Sequence, residues 1–83
     1  MGLFDFLSKL TDEQYFDEGN NLIKINQYSE AVASFDKALA ISPNDVTTWF
    51  NRGITLGELY RYSDALDSFE NTLSDQDSVH AIG

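Results

Sequence analysis

The chain repeats a pattern of aromatic, small and apolar residues at a fixed offset of 34 positions. The pattern begins where Tyr15 corresponds to Trp49. Further pairs at the same offset are Gly19 with Gly53, Leu22 with Leu56, Tyr28 with Tyr62, Ala31 with Ala65, Ser34 with Ser68, Phe35 with Phe69 and Leu39 with Leu73. One constant period across three residue classes indicates that a single supersecondary unit was duplicated and stacked.

Local signals divide each copy into two helices. Thr11 followed by Gln14 three positions later is a capping box, which predicts a helix start next to Asp12. Pro43 cannot continue a helix, and Asp45 is a favourable cap for the next one. The predicted helices run over residues 12–25, 28–41, 46–59 and 62–74, followed by a polar, frayed tail that contains the single histidine, His80.

The first ten residues carry an apolar stripe of their own. Its members fall at helical spacing and are Leu3, Phe6, Leu7 and Leu10. The predicted organisation is therefore an N-terminal amphipathic helix at 1–11, a first repeat at 12–45, a second repeat at 46–77 and a short C-terminal tail at 78–83. We expect the apolar stripe to pack on protein.

These residues resemble the tetratricopeptide repeat family, whose pattern is an aromatic, a Gly, an apolar residue, an Ala, a Phe, an Ala and a closing Pro. The first copy supplies Tyr15, Gly19, Leu22, Ala31, Phe35, Ala38 and Pro43. The second copy supplies Trp49, Gly53, Leu56, Ala65 and Phe69, and departs from the pattern at Thr72 and Asp77. The resemblance implies an all-α fold in which two helical hairpins stack as a short right-handed solenoid.

The resemblance also implies a binding site. In this family the first helix of each hairpin lines a concave groove that holds an extended peptide or a partner helix. Carried over residue by residue, the groove residues are Phe16, Asp17, Asn20, Ile23, Lys24, Phe50, Asn51, Ile54 and Glu58. Asn20 and Asn51 occupy both Asn places of the carboxylate clamp found in some members, but Phe16 stands where the first base is expected.

Composition excludes several other functions. The net charge of -9, from 14 acids and 5 bases, disfavours nucleic acid and anionic membranes and permits basic or apolar protein partners. With no cysteine and one histidine, the sequence offers neither a nucleophile–base pair nor a metal-ligand cluster. No apolar run approaches the ~18 residues needed to span a bilayer. We expect a non-enzymatic cytoplasmic protein without a cofactor, a metal or a membrane span.

Two alternatives to a peptide-binding module stay open. A third repeat would cover an apolar end formed by Leu59, Leu66, Phe69 and Leu73, so the chain could instead be a structural unit that self-associates as a two-fold homodimer. In that case these four residues are the contact. Otherwise the tail covers them with Val79 and Ile82, or the chain is a fragment of a longer array. The other alternative is a peripheral membrane adaptor that uses the N-terminal helix. An ion pair between Glu18 and Arg52 is also predicted.

Overall fold

A computed structural model describes residues 11–80 as four α-helices. They are α1 (Asp12–Lys24), α2 (Tyr28–Ile41), α3 (Val46–Glu58) and α4 (Tyr62–His80). α1 packs against α2, α3 packs against α4, and α2 joins the two hairpins by packing on α3. The described residues contain no strand, and the predicted all-α stack of two hairpins is confirmed. The predicted N-terminal helix, on which the membrane-adaptor alternative depends, lies outside them.

Each hairpin begins at a polar cap. The Thr11 hydroxyl accepts a hydrogen bond from the Gln14 N–H at 3.1 Å, and the Gln14 Oε1 accepts from the Thr11 N–H at 2.8 Å. This is the predicted capping box. At the second hairpin, the Asp45 carboxylate accepts from the Thr47 N–H at 3.2 Å and from the Thr48 hydroxyl at 2.7 Å. The bonds from backbone N–H groups satisfy amides at the helix start that have no partner within the helix.

The turns inside the two hairpins share one backbone geometry. Asn26 and Tyr60, which are repeat equivalents, both adopt the left-handed conformation, with φ of 63° and 60°. The residue after each donates its N–H to a carbonyl five positions back, from Gln27 to Leu22 at 2.8 Å and from Arg61 to Leu56 at 2.9 Å. This is the bonding of a Schellman helix end.

The fourth helix is longer than predicted. The expected end at Ser74 is wrong, because α4 continues to His80, and the polar stretch beyond residue 74 is helical up to that point. The physical reason is an absent stop signal, since neither Gly nor Pro occurs between Tyr62 and His80. Where the first copy has Pro43 after α2, the second has Asp77, which keeps its backbone N–H and lets the helix continue.

The predicted Glu18–Arg52 ion pair is wrong. The Arg52 Nε donates to Asp36 Oδ1 of α2 at 2.7 Å, and its Nη1 donates to the buried Ser68 hydroxyl of α4 at 2.5 Å. The guanidinium also lies 5.6 Å from the centre of the Trp49 ring. α3 packs between α2 and α4, so the acid nearest to Arg52 comes from α2 and not from α1.

Candidate peptide-binding groove

The first helices of the two hairpins are joined by a pair of amides. The Asn51 Nδ2 donates to the Asn20 Oδ1 at 3.1 Å, which brings together two predicted groove residues that are not repeat equivalents. The bond uses one donor and one acceptor. Because each amide group has further capacity, the Asn20 Nδ2 and the Asn51 Oδ1 can still serve a ligand as donor and acceptor.

Two aromatic side chains flank the amide pair. Phe16 lies against Phe35 and Phe50 lies against Phe69, each with ring centres 5.9 Å apart and tilted planes. The two contacts are repeat equivalents, but their exposure differs. Phe50 is 48% exposed, whereas Phe16 is only partly accessible. Of the two predicted groove phenylalanines, Phe50 therefore offers the larger contact surface, and Phe16 also supports the core.

The aliphatic groove residues follow one turn after Phe50 on α3 and two turns after Phe16 on α1. On α3, Ile54 lies four positions after Phe50 and is 45% exposed, so both side chains share one face. On α1, Ile23 is half-buried. The resulting surface is apolar on α3 and mixed on α1, with the Asn20–Asn51 pair between the two helices.

Charged groups border this surface. Asp17, Lys24 and Glu58 are all exposed, so the border carries two acids and one base. Asp17 also lines a depression on the outer side of α1 and therefore lies at the edge of the groove. No helix of the described residues is long and apolar enough to cross a membrane. Within the same residues, no group of three or more potential metal ligands comes together.

That outer depression was not predicted from the sequence. It has a volume of about 520 Å³ and is lined by Gln14, Asp17, Glu18, Asn21, Leu22 and Ile25. The repeat offset could have predicted it, because most of these residues correspond to positions of α3 that face α2.

A hydrogen bond between distant parts of the chain was also not predicted from the sequence. The Ser42 hydroxyl donates to Asp12 Oδ2, which connects the α2–α3 loop to the start of α1. This bond, followed by one from the Glu13 N–H, lowers the pKa of Asp12.

The residues predicted for self-association fall into two pairs. Leu59 and Phe69 are partly buried against the core formed by Val32, Leu56 and Ala65. Leu66 and Leu73 are 58% and 56% exposed, and seven positions place them on one side of α4. Of the four residues predicted for self-association, only Leu66 and Leu73 therefore present a largely exposed apolar side chain.

Comparison with known families agrees with this geometry. A family model described as TPR repeat matches residues 19–59, from the packing glycine of α1 to the end of α3. No curated protein is significantly similar to the chain. The matched segment contains the α2–α3 packing that stacks one hairpin on the next, and both hairpins have the same turn and the same glycine–phenylalanine contact. The chain belongs to the tetratricopeptide repeat family.

Proposed function

We propose that the chain is a non-enzymatic protein–protein interaction module that binds a peptide or a partner helix in the groove between α1 and α3. One observation carries the proposal. Phe50 and Ile54 are large apolar side chains that remain nearly half exposed on the same face of α3, next to the Asn20–Asn51 pair. Apolar surface of this kind with a polar border is typical of contact sites.

The groove provides two kinds of interaction. Phe50 and Ile54 offer apolar contact, and burial of such side chains stabilises a complex by about 25 cal/mol per Å² before entropy costs. Asn20 and Asn51 offer amide groups that match the donors and acceptors of an extended peptide backbone. A ligand with alternating apolar side chains and free backbone groups would use both.

The charge of the chain restricts the kind of peptide that the groove would attract. The groove border has one more acid than base, and the whole chain carries a net charge of -9. A peptide whose apolar side chains are flanked by Lys or Arg would be attracted to this surface. Because the border groups are exposed, salt should slow its association more than it weakens the apolar contact.

The test is a comparison of two double variants with matched chemistry. Peptides selected by display against the intact chain are measured for affinity to Phe50→Ala/Ile54→Ala and to Leu66→Ala/Leu73→Ala. Each variant loses two exposed apolar side chains, but only the first alters the groove. Phe16 is left intact, because it packs on the buried Phe35 and its loss would destabilise the fold. We expect at least about a tenfold loss for the groove variant, equivalent to about 1.4 kcal/mol, and no loss for the α4 variant. Equal affinities would contradict the proposal.

Self-association through α4 is a second candidate, favoured by the exposure of Leu66 and Leu73. Glu70 lies between them on the same side of the helix and would approach its counterpart in a two-fold contact, which opposes assembly at low salt. Light scattering at increasing protein concentration and moderate salt tests this candidate. A dimer that dissociates in Leu66→Ser/Leu73→Ser would support it, and a monomer at all concentrations would exclude it.

A further inference from the structure

The outer side of α1 is the repeat equivalent of the side of α3 on which α2 packs. Within the described residues, no helix packs on it. We call it the head face and define it as Gln14, Glu18, Asn21, Leu22 and Ile25, which line the depression of about 520 Å³. We infer that residues 1–10 of the same chain fold back onto the head face and close this end of the repeat stack. The inference does not depend on the proposed groove function.

The repeat offset shows what this face is built to contact. The equivalents of the head-face residues in the second copy are Thr48, Arg52, Thr55, Leu56 and Leu59. In that copy α2 packs on α3, with Val32 in the same core cluster as Leu56 and with Asp36 bonded to Arg52. Thr48, Thr55 and Leu56 are consequently 0 to 1% exposed.

The same positions on α1 have no such cover within the described residues. Gln14, Glu18 and Asn21 are exposed, Leu22 is half-buried, and Ile25 is 63% exposed. The walls of the depression are nevertheless mainly apolar. Side chains of a helix lean towards its N-terminus, so Leu22 leans towards the level of Glu18. The head face therefore offers an apolar depression near the first turns of α1.

The preceding segment has the right length and position to fill it. Residues 1–10 end immediately before Thr11, the cap of α1. Eight residues in a helix span about 12 Å, enough to run back along the first half of α1 but not to reach Ile25. The segment thus corresponds in position to α2, which precedes α3 and covers its equivalent face.

The sequence of the segment fits the same role. Leu3, Phe6 and Leu7 fall on one side of a helix, so the segment has the apolar side that this contact needs. Glu18 belongs to the head face and Asp17 lies at its edge, while the segment has one base, Lys9, and one acid, Asp5. The complementarity therefore rests on the apolar pattern, since the side chains of the segment carry no net charge.

A second copy is a poorer occupant. The open side of α4, with Leu66 and Leu73, is the repeat equivalent of the side of α2 that packs on α3. In a head-to-tail contact, the place of the Arg52–Asp36 ion pair would be taken by Glu18 and Glu70. Two carboxylates would then face each other where the internal contact has opposite charges, which disfavours such a chain of copies.

The test uses a spin label in the full-length chain, which contains no cysteine of its own. Asp5→Cys places the label beside the apolar stripe without altering it. In NMR spectra of the labelled protein, we expect near-complete loss of the amide signals of Glu18 and Asn21 and unchanged amide signals for Leu66 and Leu73. The control variant carries the same label together with Phe6→Ser/Leu7→Ser, which removes the stripe but keeps the tether, and in it the signal of Asn21 should return.

Three outcomes would overturn the inference. Signal loss in a mixture of labelled chains and separate isotope-labelled chains would identify a second copy as the occupant. Signal loss at Phe50 and Ile54 in place of Asn21 would put the segment in the groove. Signals on α1 that are identical in the labelled protein and in its serine variant would show that the stripe does not bind the head face.

Discussion

Gly19 of α1 lies directly against the ring of Phe35 of α2. A Cβ atom at position 19 would be 2.5 Å from the Cε1 of Phe35, and Gly53 has the same relationship to Phe69, also at 2.5 Å. Real Cβ atoms do not come so close to a carbon atom. The small residue lets the two helices of each hairpin approach until the phenylalanine ring rests on the backbone of the facing helix.

Replacement of either glycine by alanine should therefore destabilise the fold. Overpacking of this kind costs about 1–3 kcal/mol, against a gain in helix propensity of about 1 kcal/mol. Phe35 is fully buried, whereas Phe69 is partly accessible, so its ring has more room to shift. Urea unfolding should show a larger loss for Gly19→Ala than for Gly53→Ala, and unchanged stability in both would contradict the packing argument.

Gly57→Ala should have the opposite effect. A Cβ at this position meets no atom within 4 Å, and no described glycine has a positive φ. Alanine then restricts the unfolded chain and favours the helix, which should stabilise the protein by about 0.5–1 kcal/mol. The same urea titration measures it, with Gly53→Ala, one turn earlier in α3, as the comparison. A loss of stability would mean that an unseen contact occupies the space beside Gly57.

Arg52 should contribute more to the stability of the fold than a single charged side chain normally does. Its guanidinium joins Asp36 of α2 to the buried Ser68 hydroxyl of α4, so Arg52→Met leaves that hydroxyl without its donor. An unsatisfied buried group costs about 1–3 kcal/mol. Arg61→Met is the matched control, because its pair with Asp64 is exposed and such pairs contribute less than about 1 kcal/mol. Similar melting temperatures for the two variants would contradict this role.

Tyr60 carries backbone strain that Asn26 avoids. Both residues are left-handed, a conformation that costs an ordinary side chain about 1–2 kcal/mol and that asparagine tolerates. Tyr60 is also 79% exposed and loses only its edge contact with Tyr62 on substitution. Tyr60→Asn should raise the melting temperature, whereas the reverse change, Asn26→Tyr, should lower it. If both variants melted like the parent, the turn would not be strained.

The repeat offset predicted the fold well because each element has a local signal. The capping box at Thr11 and the break at Pro43 set helix boundaries that the structure confirms, and Gly19 and Gly53, which the offset pairs, lie where the helices of each hairpin pack closely. The end of α4 was missed because nothing in its sequence marks a stop. Gly57 has no packing contact, and the sequence alone could not separate it from Gly53.

The groove was less predictable than the fold. The family resemblance placed Asn20 and Asn51 in the groove, but their hydrogen bond depends on how far one hairpin is displaced from the next. Exposure likewise depends on tertiary packing, which is why Phe16 and Phe50 differ despite equivalent positions. The predicted ion-pair partner of Arg52 was wrong for the same reason, because α2 packs on α3 and supplies Asp36.

The hydrogen bond from Ser42 to Asp12 should make the stability of the fold depend on pH. The Ser42 hydroxyl and the Glu13 N–H donate to the Asp12 carboxylate, which lowers its pKa below the ordinary value of 3.8. A lowered folded-state pKa gives stability that is present above the unfolded value, about 3.9, and that is lost as the pH falls through the folded pKa. Ser42→Ala removes the main cause and should raise the pKa of Asp12.

The two proteins should therefore differ most at neutral pH and converge below about pH 4, near the unfolded pKa of Asp. Melting temperatures of the parent and of Ser42→Ala across this range measure the difference, and the other carboxylates titrate in both and cancel. Ser29→Ala, at an exposed serine of α2, is the control and should give a gap that does not change with pH. A Ser42→Ala gap that stayed constant down to the lowest pH would show that the hydroxyl stabilises the loop without acting on the charge of Asp12.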